Sequence, residues 1–216
     1  MKSVLVIGMG RFGRHLAIKM QELGDEVLII DKDPELVARY SDRFTDAQVG
    51  DCTNEDVIVA LGIDDFDICF VTIGEDFQSS LVITSLLKQH NAKHIVSKTK
   101  QDIQADLLRI IGADEIIYPE KDMAERIAVK YNTENILDYI PLTGEYSIYE
   151  IPILKQWVGV SISDINVRKK YKMNIVAIKD DNGLEPMPDP NYTFKPNDII
   201  IVIGKSEDVF RLTAKK

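Results

Sequence analysis

Residues 3–24 read "SVLVIGMGRFGRHLAIKMQELG". A β-branched apolar run stops at Gly8, and Gly8, Gly10 and Gly13 separate it from a helix-like stretch. Strand, glycine-rich turn and helix in that order are the setting in which this spacing holds a nucleotide. Gly8 permits the tight turn, Gly10 lets a phosphate approach the backbone, and Gly13 lets the helix lie on the strand. The helix start then aims unpaired N–H groups at the anion. The plainer alternative is that the glycines serve chain geometry alone. Phe12, Leu16, Met20 and Leu23 are expected to share one helix face, with Gly24 as the stop.

Outward from this stretch, "EVLII", "AQV", "DICFVTI", "HIVSK" and "EIIY" follow at intervals filled by amphipathic segments. Strands alternating with helices predict βαβ units and a parallel sheet, here a Rossmann-like α/β domain covered on both faces. A second helix is expected from "DKDPEL", with Asp33 as N-cap and Pro34 in its first turn. A third begins at "TNED", where Thr53 and Asp56 have capping-box spacing. After "PEKDMAERIAVKYN" the pattern changes. "EYSIYEIPI", "NIVAIK" and "DIIIVIG" read as strands, "DDNG" and "KPND" as turns, and "SISDINVRKKY" as a short helix, which together predict a small α+β unit. The expected division is 1–140 and 141–216, joined through residues 132–142.

Composition narrows the function. The chain has 216 residues with 45% hydrophobic and a formal net charge of −9, so it can build a core but would repel nucleic acid. Its two cysteines, Cys52 and Cys69, have neither zinc spacing nor a disulfide framework, as expected for a reducing cytosol. No basic-then-apolar leader and no apolar run of about 18 residues is present, so work at a membrane is expected through a partner.

Asp31 ends the second strand about 20 residues beyond the glycines, where a carboxylate accepts both ribose hydroxyls. Arg11 puts a cation in the first helical turn, against the helix dipole, and so asks for an anion such as phosphate; a solvated surface arginine is the alternative. Asp51 and Lys98 follow the third and fifth strands, at the edge where open α/β sheets bind ligands. Each is equally readable as a solvated side chain. Gly74 ends the fourth strand and either admits a nucleotide or simply ends the strand. Glu120 precedes a helix, where the dipole alone favours a carboxylate. His15, His90 and His94 read as structural, and neither a catalytic triad, nor a P-loop, nor a His/Cys metal cluster is present. A nucleotide site without chemistry beside it suggests a sensor. A small NAD(H)-dependent oxidoreductase is the rival reading.

"VIGMGRFGRHLA", "VGDCTNEDVIVALGIDDFDICFVTIGEDFQSSL", "IGADEIIYPEKDMAERIA", "DINVRKKYKMNIVAIK" and "DIIIVIG" together resemble the KtrA/TrkA-type regulator-of-potassium-conductance (RCK) subunits of bacterial potassium uptake systems. The resemblance covers nearly the whole chain. It implies a regulatory subunit that binds ATP, ADP or NAD(H) above the glycines, with Arg11 at the phosphates and Asp31 at the ribose. Phe12, Lys32 and Cys52 stand beside these residues and join the candidate set. It also implies a divalent cation, magnesium or calcium, at Glu120. The smaller C-terminal domain would dimerise and bind cyclic di-AMP near Arg168, Ile175 and Pro188, a segment in which "EPMPDPNYTF" aligns loosely. Homodimers would form a ring, commonly octameric, on the inner face of the cell membrane, docked on a KtrB/TrkH-like potassium-translocating subunit. A subunit of another cation channel or antiporter is the further alternative.

Overall fold

The six apolar runs of the first half all become strands: β1 (Ser3–Ile7), β2 (Glu26–Asp31), β3 (Asp46–Val49), β4 (Ile68–Val71), β5 (Ile95–Lys98) and β6 (Glu115–Ile117). In this computed structural model, which describes residues 1–132 and 135–213, they form one sheet in the order β3-β2-β1-β4-β5-β6. Every pairing in that sheet is parallel. The helices between the strands are α1 (Arg11–Glu22), α2 (Pro34–Tyr40), α3 (Glu55–Leu61), α4 (Phe77–Gln89) and α5 (Asp102–Ile111). Side-chain alternation sends Val4, Val6, Val27 and Ile29 into one apolar cluster, and Leu5, Ile7 and Ile30 into another. Both faces are therefore covered, which is why these strands are apolar almost throughout.

Two local expectations are corrected. In α1 the buried residues are Gly13 and Ala17, whereas Leu23 is 68% exposed. A Cβ built on Gly13 would overlap the Gly8 carbonyl oxygen and the Thr72 hydroxyl. The helix lies so near the strand ends that only small residues fit the seam, and Phe12 and Leu16 are left half-buried beside it. In α3 the N-cap is Asn54, whose side chain accepts from the Asp56 N–H. Thr53 lies one residue outside the cap, its hydroxyl donating to Asp51 Oδ1 at 2.7 Å. Asp33 caps α2 as expected, with Pro34 in the first turn.

The chain divides into two compact units, Met1–Lys121 and Asp122–Lys216, with the cut inside α6 (Pro119–Asn132). The second unit holds an antiparallel sheet in the order β10-β9-β11-β8-β7. Its strands are β7 (Asp138–Pro141), β8 (Tyr146–Pro152), β9 (Asn174–Asp180), β10 (Gly183–Pro186) and β11 (Ile199–Lys205). Part of the stretch 132–142, expected as a connection, is thus a strand: Ile140 pairs with Ile148 and Tyr139 with Tyr149. Thr133 and Glu134 of that stretch lie outside the described residues. "SISDINVRKKY" forms two short helices rather than one, α7 (Ile162–Ile165) and α8 (Val167–Tyr171), because Asn166 between them adopts the left-handed conformation at φ 52°. Strand β10 and helix α9 (Ser206–Thr213) were not expected. All four residues of β10 are exposed, so it carries no apolar alternation to read.

Candidate functional site

Strand order reverses at β1 and β4, and their carboxyl ends open a cleft of about 220 Å³. Such a switch point is where open α/β sheets take ligands. Of the residues singled out by sequence, Gly8, Gly10, Asp31, Lys32, Asp51, Cys52 and Gly74 line it. The sequence reading missed Thr53, Thr72, Ile73, Asp76 and Ser79, which are also part of its wall.

The three glycines have separate tasks. Gly8 takes φ +98°, a conformation that favours glycine, and its N–H donates to the Ile30 carbonyl at 2.9 Å. Thr72 braces the same turn, donating its hydroxyl to the Gly8 carbonyl at 2.6 Å. Gly13 forms the close seam described above. Gly10 is different: a Cβ there would meet nothing within 4 Å, so its lack of a side chain leaves open space at the start of α1. That start has no side-chain cap and no acidic residue in its first turn. Free N–H groups beside empty space suit an anion. Arg11 is exposed at the same turn.

Asp31 joins the turn to the far wall. Its Oδ2 accepts the Met9 N–H at 2.6 Å and its Oδ1 accepts the Asp33 N–H at 2.9 Å, which fixes the carboxylate while leaving lone pairs for hydroxyl donors. The Thr53 hydroxyl holds the Asp51 carboxyl below the ordinary carboxylate range, and the Ser79 hydroxyl does the same for Asp76. Asp76 also caps α4 through the Ser79 N–H. Burial pushes the Cys52 thiol up to about 12, so it is neutral at physiological pH and contributes no thiolate.

Lys98 and Glu120 do not line the cleft; they pair with each other, Nζ to Oε1 at 2.7 Å. Lys98 is the main reason that the Glu120 carboxyl lies below its ordinary range. Phe12 turns its ring toward the same ammonium, with the centroid 5.7 Å away. Among the described residues no group of three or more His, Cys, Asp or Glu side chains is placed to hold a metal ion. The Glu120 side chain remains 60% exposed beside this pair. In the second unit, Arg168 donates from Nη2 to Asn174 Oδ1 at 2.9 Å. Ile175 and Pro188 each neighbour one end of a hydrogen bond from the Met187 N–H to the Val176 carbonyl, 2.9 Å long.

The TrkA-N domain family matches residues 4–119 and the TrkA-C domain family matches residues 147–215. Ktr system potassium uptake protein C of Bacillus subtilis (strain 168) is 39% identical over 210 residues, covering 97% of this chain and 95% of that protein. The chain belongs to the KtrA/TrkA family. Ktr system potassium uptake protein A of Vibrio alginolyticus is 31% identical to this KtrA/TrkA-type chain, covering 95% of it and 94% of that protein. Among solved structures, a GsuK channel bound to NAD superposes with a TM-score of 0.69 at 15% identity, covering 98% of this chain and 38% of that one. At that identity the likeness concerns the fold of a KtrA/TrkA-type chain, the Rossmann-like unit followed by the small antiparallel one.

Proposed function

We propose that this chain is the nucleotide-sensing regulatory subunit of a potassium uptake system, and that ATP, ADP or NAD(H) binds in the cleft of the first unit. The observation that supports it best is the open space at Gly10, beside an uncapped helix start and next to Met9, whose N–H the anchored carboxylate of Asp31 accepts. Phosphates would lie on the first turn of α1 near Arg11, and the ribose hydroxyls on Asp31. Such a protein is a switch and not an enzyme, in keeping with its family.

Regulation then follows from linkage: a ligand shifts the assembly only by its difference in affinity for two states, typically about 1 to 3 kcal/mol per site. ATP is assigned to the conducting state. The partner is a membrane potassium-translocating subunit of the KtrB/TrkH type, and no helix among the described residues is long and apolar enough to cross a membrane. Dimerisation is assigned to the second unit, where Ile148, Ile201 and Ile203 occupy the sheet face opposite the buried Tyr149, Ile200 and Val202. Dimers would close into a ring, an octamer by family precedent, with cyclic di-AMP held near Arg168, Ile175 and Pro188.

The test is thermal unfolding with ATP and magnesium, ADP, NADH and cyclic di-AMP added separately. A ligand that binds the native state at 100 times its dissociation constant adds about 2.7 kcal/mol. A rise in midpoint with one of the three cleft nucleotides is expected, followed by a change in potassium flux when the partner is present. Silence from all three would overturn the reading.

A further inference from the structure

The strand order β3-β2-β1-β4-β5-β6 is that of two mononucleotide-binding halves set side by side. In such a sheet a dinucleotide lies across both halves, one nucleoside over each. The two halves here are not equally open. Gly10, Asp31 and Asp51, which follow β1, β2 and β3, line the cleft, and Gly74, Glu75 and Asp76 bound it from the loop after β4. Among the described residues, none that follows β5 or β6 lines it.

Two lysine chains stand behind the β4 loop. A Cβ built on Gly74 would lie 3.2 Å from Lys98 Nζ and 3.5 Å from Lys100 Cε, so a larger residue there would press on both. Lys100, in the loop after β5, donates from Nζ to Glu75 Oε1 at 2.7 Å and so joins the two loops across the ends of β4 and β5. That hydrogen bond is the chief reason that the Glu75 carboxyl lies below its ordinary range and the Lys100 ammonium above its own, which keeps both charged at neutral pH.

We infer that the Glu75–Lys100 pair is a strap across the second half of the nucleotide seat, by which the site favours a mononucleotide over a dinucleotide. This rests on the cleft being a nucleotide site. A nucleoside di- or triphosphate fills the open half, with its ribose on Asp31 and its phosphates at the start of α1, and leaves the strap intact. A dinucleotide carries a second ribose and base past the phosphates toward the ends of β4 and β5, where it has to part Glu75 from Lys100. The two side chains are 95% and 41% exposed, so water solvates both when they separate. The selectivity is therefore modest, on the scale of one surface ion pair.

Two isolated surface charges would behave differently. Removing the cation alone would weaken the more anionic ligand most, and removing the anion alone would strengthen that ligand most, so the two changes would move selectivity in opposite directions. A strap is broken by either change, and both then move selectivity the same way.

The experiment is calorimetric titration of the full chain with ATP, ADP and NADH in one magnesium-containing buffer, for wild type, Glu75→Gln, Lys100→Met and the double variant. Both positions are exposed, so the fold should persist. The wild type is expected to bind the mononucleotides more tightly than NADH. Each single variant is expected to narrow that preference about two- to fivefold, and the double variant no further than either single one, because one strap is lost in all three. An unchanged preference, shifts in opposite directions, or a wild type that binds NADH at least as tightly as the mononucleotides overturns the strap and leaves the nucleotide site standing. Failure of the wild type to bind ATP, ADP or NADH overturns both.

Discussion

The two units are sheets of opposite kind, and the contrast explains where the candidate ligand site lies. In the first, inner parallel strands are buried on both faces: β5 is buried at all four residues, and β1 at four of its five. Ligands are then left with the strand ends, where crossovers part and the glycine turn sits. In the second, antiparallel strands alternate strictly: β8 and β11 bury every other residue. One face holds an aromatic-rich core, in which Trp157 lies between Tyr171 and Phe194 with ring centroids 5.2 and 6.2 Å away. The other face is left for contact with something else. A site at the strand ends and a free sheet face are thus consequences of strand direction.

The strongest test of this division is Trp157→Ala. Removing a buried aromatic side chain costs about 3 to 5 kcal/mol. Denaturation followed separately in the two units should show the second unfolding early while nucleotide still protects the first; a single shared transition would break the comparison. Next come the glycines of the turn. Gly13→Ala forces a methyl group against the Gly8 carbonyl, which should lower stability by about 1 to 3 kcal/mol. Gly10→Ala meets no atom and should leave denaturation unchanged within about 1 kcal/mol, yet weaken nucleotide binding. Equal losses of stability in both variants would show that the open space at Gly10 has no special meaning.

Arg11→Ala removes a charged donor, and a drop of about tenfold in ATP affinity, or about 1.4 kcal/mol, is expected in titrations, with no change in unfolding midpoint without ligand. The smallest effect belongs to the second unit, where Arg126 grips Asp138 through two hydrogen bonds of 3.0 and 2.6 Å. Arg126 is the chief cause of the Asp138 carboxyl lying below its ordinary value of 3.8. A carboxyl with a lowered folded value stabilises above the ordinary value and ceases to do so as pH falls through the lowered one. Asp138→Asn should therefore cost about 1 kcal/mol or less near neutral pH, and in acid-unfolding curves the difference from wild type should begin to shrink as pH falls below 3.8 and vanish only below the lowered folded value.

Much of the first unit was legible because its signals are local. A strand buried on both faces announces itself as an apolar run, and Asp33 before Pro34 announces a helix start. The second unit was less so. Edge strand β10 buries nothing, and β7 follows a polar stretch and ends in Pro141, so neither carries the pattern by which strands are recognised. Asn166 broke a helix in two through its own backbone conformation, which no neighbouring residue signals.

The same boundary runs through the candidate site. The sequence by itself determined the sheet type, the glycine turn and Asp31, because spacing along the chain suffices for groups held by one strand, turn and helix. Only the tertiary structure decided that Thr72 braces Gly8, that Gly13 rather than a leucine face seats the first helix, and that Lys98 pairs with Glu120 behind Gly74. The Thr72–Gly8 and Lys98–Glu120 contacts join residues 64 and 22 positions apart. Whether such a pair meets depends on how strand ends align across the sheet, a consequence of packing that periodicity along the chain does not encode.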